Sequence, residues 1–269
     1  MRIVLLASAA LLTLSTHAAD AFRIEKNVAY LAPDRTEKAD LYVPVNSPAG
    51  ARRPAVVIIH GGGWTGGDKG AGREMNIGTN LALNGYVGMS INYVLASTNK
   101  AVSKATWPQN LHDCMTAVRW LRKHAERLQV DPERIGVIGG SAGGHLAAML
   151  AVTGEKDGLD PQGPYGEFSC RVQCAVDLYG PADLSDRAHI NMLGKSREEA
   201  SDLYRAASPV TWSSARLRRS TPNRCTSSCS ACRRSLGSTV SAKNAPCSTA
   251  YRSRSSNWRA SATSCGLGD

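Results

Sequence analysis

The chain has 269 residues, of which 42% are hydrophobic, and this is enough for one large globular domain. Its formal net charge of +10 is unevenly placed, because residues 215–269 hold ten Lys or Arg and one acid, Asp269. The tail therefore carries +9 of the total, and the first 214 residues are nearly neutral. For this nearly neutral part we expect no nucleic-acid partner.

The N-terminus has the pattern of a secretory signal peptide over residues 1–18. Arg2 precedes an apolar run at residues 3–15, and the small-residue sequence Thr16-His17-Ala18 follows. This predicts cleavage near Ala18 and a periplasmic or secreted protein. The apolar run is too short to cross a bilayer, so we expect no membrane span.

Apolar runs and helical patterns alternate through the rest of the chain, up to residue 214. In chain order we predict strands at 26–30, 38–43 and 55–59, a helix at 73–83, a strand at 86–93, a long helix at 107–128, a strand at 135–139, a helix at 142–152, a strand at 174–178 and a helix at 201–207. Nearly continuous apolar strands that alternate with helices predict a parallel sheet covered on both faces.

The most informative motif lies where the predicted strand at 135–139 meets the predicted helix at 142–152. The sequence there is Gly139-Gly140-Ser141-Ala142-Gly143. Gly-x-Ser-x-Gly in a strand–turn–helix context predicts a nucleophile elbow, a sharp turn that lifts the serine hydroxyl out of the sheet. The outer glycines are needed because a side chain there would clash with the neighbouring strand and helix. The alternative is a glycine-rich turn in which Ser141 only caps the helix.

A second motif, His60-Gly61-Gly62-Gly63-Trp64, follows the predicted strand at 55–59. Its glycines let the main chain approach a bound ester, and such a turn can donate backbone N–H groups to an oxyanion. Taken alone, it could also be a structural turn or a loose phosphate cradle. Together with the elbow further along the chain, it favours acyl transfer.

These two motifs, with Ser90-Ile91-Asn92-Tyr93 and Asp177-Leu178-Tyr179-Gly180, carry a resemblance to a known family. From about residue 39 to 212 the chain resembles α/β-hydrolase-fold esterases, in the branch of hormone-sensitive lipase and the acetyl-xylan and feruloyl esterases. The resemblance implies an α/β fold with a mostly parallel central sheet and helices on both faces. It also implies a small-molecule or carbohydrate ester as substrate, with no cofactor and no metal.

Carried over position by position, the resemblance implies that Ser141 is the nucleophile. The N–H groups of Gly62, Gly63 and Ala142 would then form the oxyanion hole. In this fold the chain order is Ser, then Asp or Glu, then His, so both partners of the serine should follow it. No histidine lies beyond residue 189, and the triad Asp and His remain unknown.

The other histidines are weak substitutes for the missing base. We expect His60 to brace the oxyanion turn and His145 to face away from the Ser141 hydroxyl. His112 and His124 fall in the predicted helix at 107–128, which should pack against the sheet, and His189 is a remote candidate. We expect Asp183, which follows Gly-Pro, to close a turn or cap a helix.

Residues 215–269 show no helical or strand period and hold five of the eight cysteines. A basic, serine-rich segment could be a nucleic-acid arm or a disordered linker. We favour a third interpretation, in which a frameshift near residues 212–215 replaced the last third of the domain. One choice of codons for residues 257–265 reads LAGVGHEL in another frame, which resembles the stretch before the catalytic histidine of such esterases. The sheet would then lack two strands, which leaves 174–178 as an exposed edge and the chain destabilised.

Two functions remain open at this point. The first is a serine carboxylic ester hydrolase for short-chain or acetylated carbohydrate esters, and a formamidase or peptidase is a weaker variant of it. The second is a non-catalytic relative that keeps the pocket and binds a ligand. Cys170 and Cys174 are close enough in the sequence to form a disulfide or to stay reduced. The loose metal-site spacing of Cys225, Cys229 and Cys232 carries almost no weight in a frameshifted tail.

Overall fold

A single six-stranded sheet forms the centre of the structure, which is a computed structural model that describes residues 21–45, 50–99, 105–154, 157–159 and 163–213. The strands are β1 Phe22–Val28, β2 Ala39–Pro44, β3 Arg53–Ile59, β4 Val87–Ile91, β5 Val130–Gly140 and β6 Cys174–Leu178. Their order is β1-β2-β4-β3-β5-β6. Both pairings of β2 are antiparallel, and β4, β3, β5 and β6 are parallel. The predicted α/β architecture, with a mostly parallel central sheet, is confirmed.

In the described chain, five α-helices accompany the sheet: α1 Gly72–Leu83, α2 Gln109–Lys123, α3 Ala125–Leu128, α4 Ala142–Val152 and α5 Ser201–Ala206. Helix α1 packs over β2, β4 and β3, whereas α2 and α4 pack together and over β3, β5 and β6. Within the described ranges, no helix combines the length and the apolar character that crossing a bilayer requires. The predicted signal peptide at 1–18 and the tail at 215–269 lie outside the described residues.

Helix α1 packs on one face of the sheet. In the described chain, half of that face has no helix over it. The strand register places Val56, Gly88, Gly136 and Cys174 side by side on this face. Gly88 is closely packed against α1, but Cys174 is exposed, and Val176, two residues further along β6, is 44% exposed. Strand β6 is thus the edge strand of the described sheet.

The predicted single helix at 107–128 is wrong, because the helix breaks at His124. The backbone there has φ −102° and ψ 17°, and the imidazole stacks on Trp120 with ring centroids 4.0 Å apart. Strand β5 begins at Val130 rather than 135, since Val130 pairs with Arg53 before an irregularity in the register. Strand β1 begins four residues earlier than predicted, at Phe22, which pairs with Pro44.

None of the three cysteines that the structure describes forms a disulfide within the described chain. Cys114 and Cys170 are buried, and Cys174 is exposed on β6. Of the two alternatives for Cys170 and Cys174, the structure therefore has the reduced one. Cys225, Cys229 and Cys232 lie outside the described residues.

Candidate active site

Ser141 lies on a sharp turn between β5 and α4. Its backbone angles are φ 55° and ψ −120°, a conformation that costs energy for any residue with a side chain. Two hydrogen bonds hold the turn: its N–H donates to the Leu178 carbonyl at 2.9 Å, and the His145 N–H donates to its carbonyl at 3.0 Å. The side chain is exposed and makes no capping hydrogen bond to the helix, so the alternative of a simple cap is wrong.

The glycines that flank the serine are required by close approach of the backbone. A Cβ atom at Gly139 would lie 2.2 Å from the Gly143 carbonyl oxygen. A Cβ atom at Gly143 would lie 2.2 Å from the Ile59 carbonyl oxygen and 2.6 Å from that of His60. The Ile59 and His60 oxygens belong to the end of β3 and to the start of the glycine-rich turn at residues 60–64. The elbow therefore packs directly on the segment that the sequence predicted to provide the oxyanion hole.

The glycine-rich turn also borders Ser141 from its other side. A Cβ atom at Gly61 would lie 3.4 Å from the Ser141 Cβ, and Gly62 and Gly63 have φ values of +118° and +61°. The Gly62 carbonyl accepts hydrogen bonds from the two residues that close the turn, Thr65 and Gly66. Within the described chain, the N–H groups of Gly62, Gly63 and Ala142 have no hydrogen-bond acceptor. Three backbone donors of the two motifs thus remain unpaired in the described chain.

His60 is part of the support of this turn. Its ring stacks on Tyr93 with centroids 4.5 Å apart, and its Nδ1 lies 2.8 Å from the Gly61 carbonyl oxygen. The Tyr93 hydroxyl donates to the His60 carbonyl at 3.0 Å. Burial lowers the pKa of His60, so the ring is neutral at pH 7. This is the bracing role that the sequence predicted.

His145 is held away from catalysis by burial. The ring is fully buried, makes aromatic contacts with Trp64 and Trp107, and places Nε2 2.7 Å from the Ala207 carbonyl oxygen. Desolvation lowers its pKa to about 4. Since the neutral ring must donate to a carbonyl, its proton is on Nε2.

The remaining histidine and carboxylate candidates make no contact with Ser141 in the described chain. His189 is exposed and pairs its backbone with Ser196, and Asp183 accepts hydrogen bonds from the N–H and hydroxyl of Ser185, which closes a local turn as predicted. No histidine or carboxylate of the described chain forms a hydrogen bond with Ser141. The described residues also contain no group of three or more His, Cys, Asp or Glu side chains arranged to hold a metal ion.

Two residues beside Ser141 were missed by the sequence reasoning. Arg73, in the first turn of α1, donates from Nη1 to the Tyr179 hydroxyl at 2.8 Å and from Nε to the buried Glu74 at 2.9 Å. A Cβ atom at Gly140 would lie 2.3 Å from that same Nη1, so the guanidinium lies against the elbow. The available signal was positional, because Tyr179 directly follows a parallel strand at the carboxyl edge, where sites of α/β sheets form.

Comparison with known proteins gives a consistent set of relatives. A family model described as BD-FAE matches residues 39–218. A probable carboxylic ester hydrolase, LipM of Mycobacterium tuberculosis, is 35% identical over 173 residues, which are 60% of this chain and 38% of that protein. Esterase LipQ of the same organism is 26% identical over 196 residues, 69% of this chain and 44% of that protein.

Solved structures show the same likeness. A truncated carbohydrate esterase from gut microbiota superposes with a TM-score of 0.62 at 25% identity, over 72% of this chain and 74% of that one. The propionate-bound esterase 2 of Thermogutta terrifontis gives a TM-score of 0.56 at 28% identity, over 72% and 67% of the two chains. The chain spans about two fifths of the length of the two Mycobacterium tuberculosis relatives.

Proposed function

Because the chain belongs to the BD-FAE family, we propose that it is a serine carboxylic ester hydrolase in which Ser141 forms the acyl-enzyme. The observation that carries this proposal is the backbone of Ser141, with φ 55° and an exposed hydroxyl. Energetically costly geometry of this kind persists where the surrounding structure enforces it, and it is concentrated at active sites. The relatives named esterases support the reaction class.

We infer the steps of the reaction from Ser141 and from the backbone N–H donors of the two motifs. The Ser141 Oγ attacks the ester carbonyl carbon, and the negative charge that develops on the carbonyl oxygen is accepted by the N–H groups of Gly62, Gly63 and Ala142. Collapse of this intermediate expels the alcohol and leaves an ester on Ser141. Water then attacks that ester and releases the acid. Fixed backbone donors are effective here because they do not reorganise during the reaction.

This version of the chain lacks an evident base for the first step. A serine hydroxyl is a weak nucleophile unless a neighbouring group takes its proton. His145 cannot serve, because its ring is buried against Trp64 and its Nε2 binds a carbonyl. We propose that the triad Asp and His were lost with the frameshift, so that acylation relies on the oxyanion hole and is slow.

The substrate class that we propose is a short-chain ester or an acetylated carbohydrate. The support is the likeness to a carbohydrate esterase and to an esterase whose structure contains propionate. Export through cleavage near Ala18 is proposed on the N-terminal pattern alone. The second candidate function is a non-catalytic binding protein, which the missing base favours.

A labelling experiment separates the two functions. The purified chain is treated with a fluorophosphonate and its turnover of p-nitrophenyl acetate is followed, with Ser141→Ala and the surface variant Ser213→Ala as a matched pair. We expect mass spectrometry to place the label on Ser141, with slow turnover that Ser141→Ala abolishes and Ser213→Ala leaves unchanged. A folded protein that is neither labelled nor active would instead be a binding protein.

A further inference from the structure

Tyr179 directly follows β6 and has a backbone conformation that is costly for an aromatic residue. Its φ is +54°, in the left-handed region that bulky residues rarely adopt. Its side chain is 72% exposed, the highest exposed fraction among the large hydrophobic side chains of the described chain. Packing in the core therefore does not explain this conformation. Costly backbone geometry persists only where the surrounding structure enforces it, and it is enriched at functional sites.

Both neighbours of Tyr179 in the chain are fixed to the elbow. The Leu178 carbonyl accepts the Ser141 N–H at 2.9 Å. On the other side, a Cβ atom at Gly180 would lie 2.4 Å from the backbone nitrogen of His145, so Gly180 packs directly on the first turn of α4. The position of Tyr179 relative to Ser141 is thus set by the backbone before it and after it.

The phenol of Tyr179 lies over the residue that precedes Ser141. A Cβ atom at Gly140 would lie 3.1 Å from the Tyr179 hydroxyl oxygen and 2.3 Å from Arg73 Nη1, which donates to that oxygen at 2.8 Å. Arg73 also borders the glycine-rich turn, since a Cβ atom at Gly61 would lie 3.4 Å from Arg73 Nη2 and 3.4 Å from the Ser141 Cβ. Because Gly140 has no side chain, the guanidinium and the phenol can lie directly on the elbow.

The hydrogen-bonding pattern leaves the Tyr179 O–H free to donate. Arginine is a donor only, so the phenol oxygen is the acceptor in its bond with Arg73. The phenol proton is then available for another acceptor, and none of the described residues provides one. Arg73 is itself held in place, because its Nε donates to the buried Glu74 at 2.9 Å. A fixed O–H without a protein acceptor can donate to a bound substrate.

The order of the strands limits which substrate atom this O–H can reach. Strand β5, which ends at the elbow, lies between β3 and β6. The turn that would form the oxyanion hole follows β3, whereas Tyr179 follows β6. The ester carbonyl oxygen would therefore lie on one flank of Ser141 and the phenol on the other. Of the two remaining groups on the carbonyl carbon, the acyl carbon cannot accept a hydrogen bond, but the alkoxy oxygen can.

We propose that Tyr179 is the general acid for the leaving alcohol, and that Arg73 is the residue that positions it. This inference rests on the proposed acyl transfer at Ser141. As Ser141 Oγ bonds to the carbonyl carbon and the bond to the alkoxy oxygen breaks, Tyr179 gives its phenol proton to that oxygen, and a neutral alcohol leaves. The Ser141 hydroxyl proton passes to water. The Tyr179 phenolate, hydrogen-bonded to the Arg73 guanidinium, takes a proton back from water, so the net products are acyl-serine and alcohol.

The test compares two leaving groups that differ in their need for a proton. The full chain is given 4-nitrophenyl acetate or phenyl acetate, and release of each phenol is measured after subtraction of the rate for Ser141→Ala. 4-Nitrophenolate is a stable anion that leaves unaided, whereas phenolate is more basic and gains more from a general acid. We expect Tyr179→Phe to slow release from phenyl acetate about tenfold relative to release from 4-nitrophenyl acetate, as loss of one strong hydrogen bond predicts.

Matched variants control for general effects. Tyr86→Phe removes the same hydroxyl from an exposed tyrosine just before β4, at the opposite edge of the sheet, and should keep both rates. Arg73→Gln should change the ratio of the two rates as Tyr179→Phe does, and the double variant should add little, because both act on one proton donor. Circular dichroism checks the fold of each variant. Tyr179→Phe keeps the ring and alters only an exposed group, so it keeps the test decisive.

Three results would overturn the proposal: an unchanged ratio of the two rates in Tyr179→Phe, equal slowing of both esters, or the same change of ratio in Tyr86→Phe. Failure of the proposed function has a different signature. In that case the wild type and Ser141→Ala would release each phenol at the same rate, and the fluorophosphonate would leave Ser141 unlabelled. That outcome would remove the role of Tyr179 as well.

Discussion

His145 should make the stability of the folded chain fall steeply in mild acid. Its pKa is lowered from 6.5 to about 4 by burial, and its Nε2 binds the Ala207 carbonyl. Between these two pH values the unfolded chain binds a proton at this position and the folded chain does not. The unfolding free energy therefore falls as the pH drops from about 6.5 to 4, and this contribution levels off below pH 4. At about 1.4 kcal/mol per pKa unit, the loss amounts to about 3 kcal/mol.

The assay is urea denaturation at several pH values from 7 to 4, for the wild type and for His145→Gln. The glutamine keeps an N–H donor for the Ala207 carbonyl but does not titrate, so its unfolding free energy should lack this component of the pH dependence. Carboxylates whose pKa is lowered in the fold also lose stability in acid, but they do so equally in both proteins.

The control is His189→Gln, which removes an exposed histidine and should leave the pH dependence of the wild type unchanged. If the wild type and His145→Gln lose stability in parallel between pH 6.5 and 4, the buried ring is not neutral in the folded state. The assignment of its proton to Nε2 would then be wrong as well.

Three further substitutions test the packing around the site. Gly143→Ala should destabilise the fold by roughly 1–3 kcal/mol and abolish fluorophosphonate labelling, because its Cβ would overlap a backbone carbonyl of β3; full labelling would contradict the elbow geometry. Asp113→Ala should cost about 3–5 kcal/mol in urea unfolding, since it leaves the Arg35 guanidinium without its buried partner; a loss below 1 kcal/mol would show that the pair is solvated. Tyr93→Phe should cost about 1–2 kcal/mol and slow labelling, because the His60 carbonyl loses its buried donor; unchanged labelling would mean that the turn needs no such support.

The features that were predictable from the sequence are those encoded by nearby residues. Strand β3 and the elbow could be located because apolar residues run without interruption and end in glycines. The helix break at His124 could not be predicted, because the helical pattern of the sequence continues through it. Only the stacking of His124 on Trp120 and the short helix α3 that follows reveal the break. Strand β1 begins earlier than predicted, because its charged residues, such as Arg23, follow no apolar period in the sequence. The structure shows that these residues pair with β2.

The surroundings of Ser141 were predictable only in part. The turn at residues 60–64 and the turn at residues 139–143 are each formed by consecutive residues, so the sequence alone locates them. The hydrogen bond between Arg73 and Tyr179 joins residues that are 106 positions apart, and no local pattern indicates such a contact. The ion pair between Arg35 and Asp113 could not be predicted for the same reason, because the two residues are 78 positions apart in the chain.

The supports of the elbow have a consequence for the order of synthesis. Ile59, His60 and Leu178, whose carbonyl groups contact or bind the elbow, all lie within the first two thirds of the chain. A ribosome therefore synthesises these three supports of the Ser141 turn before it reaches the region where a base is expected. A lesion downstream can remove the proton acceptor and leave the acylation site formed. We expect such a lesion to yield a protein that reacts once with a strong electrophile but turns over ordinary esters slowly.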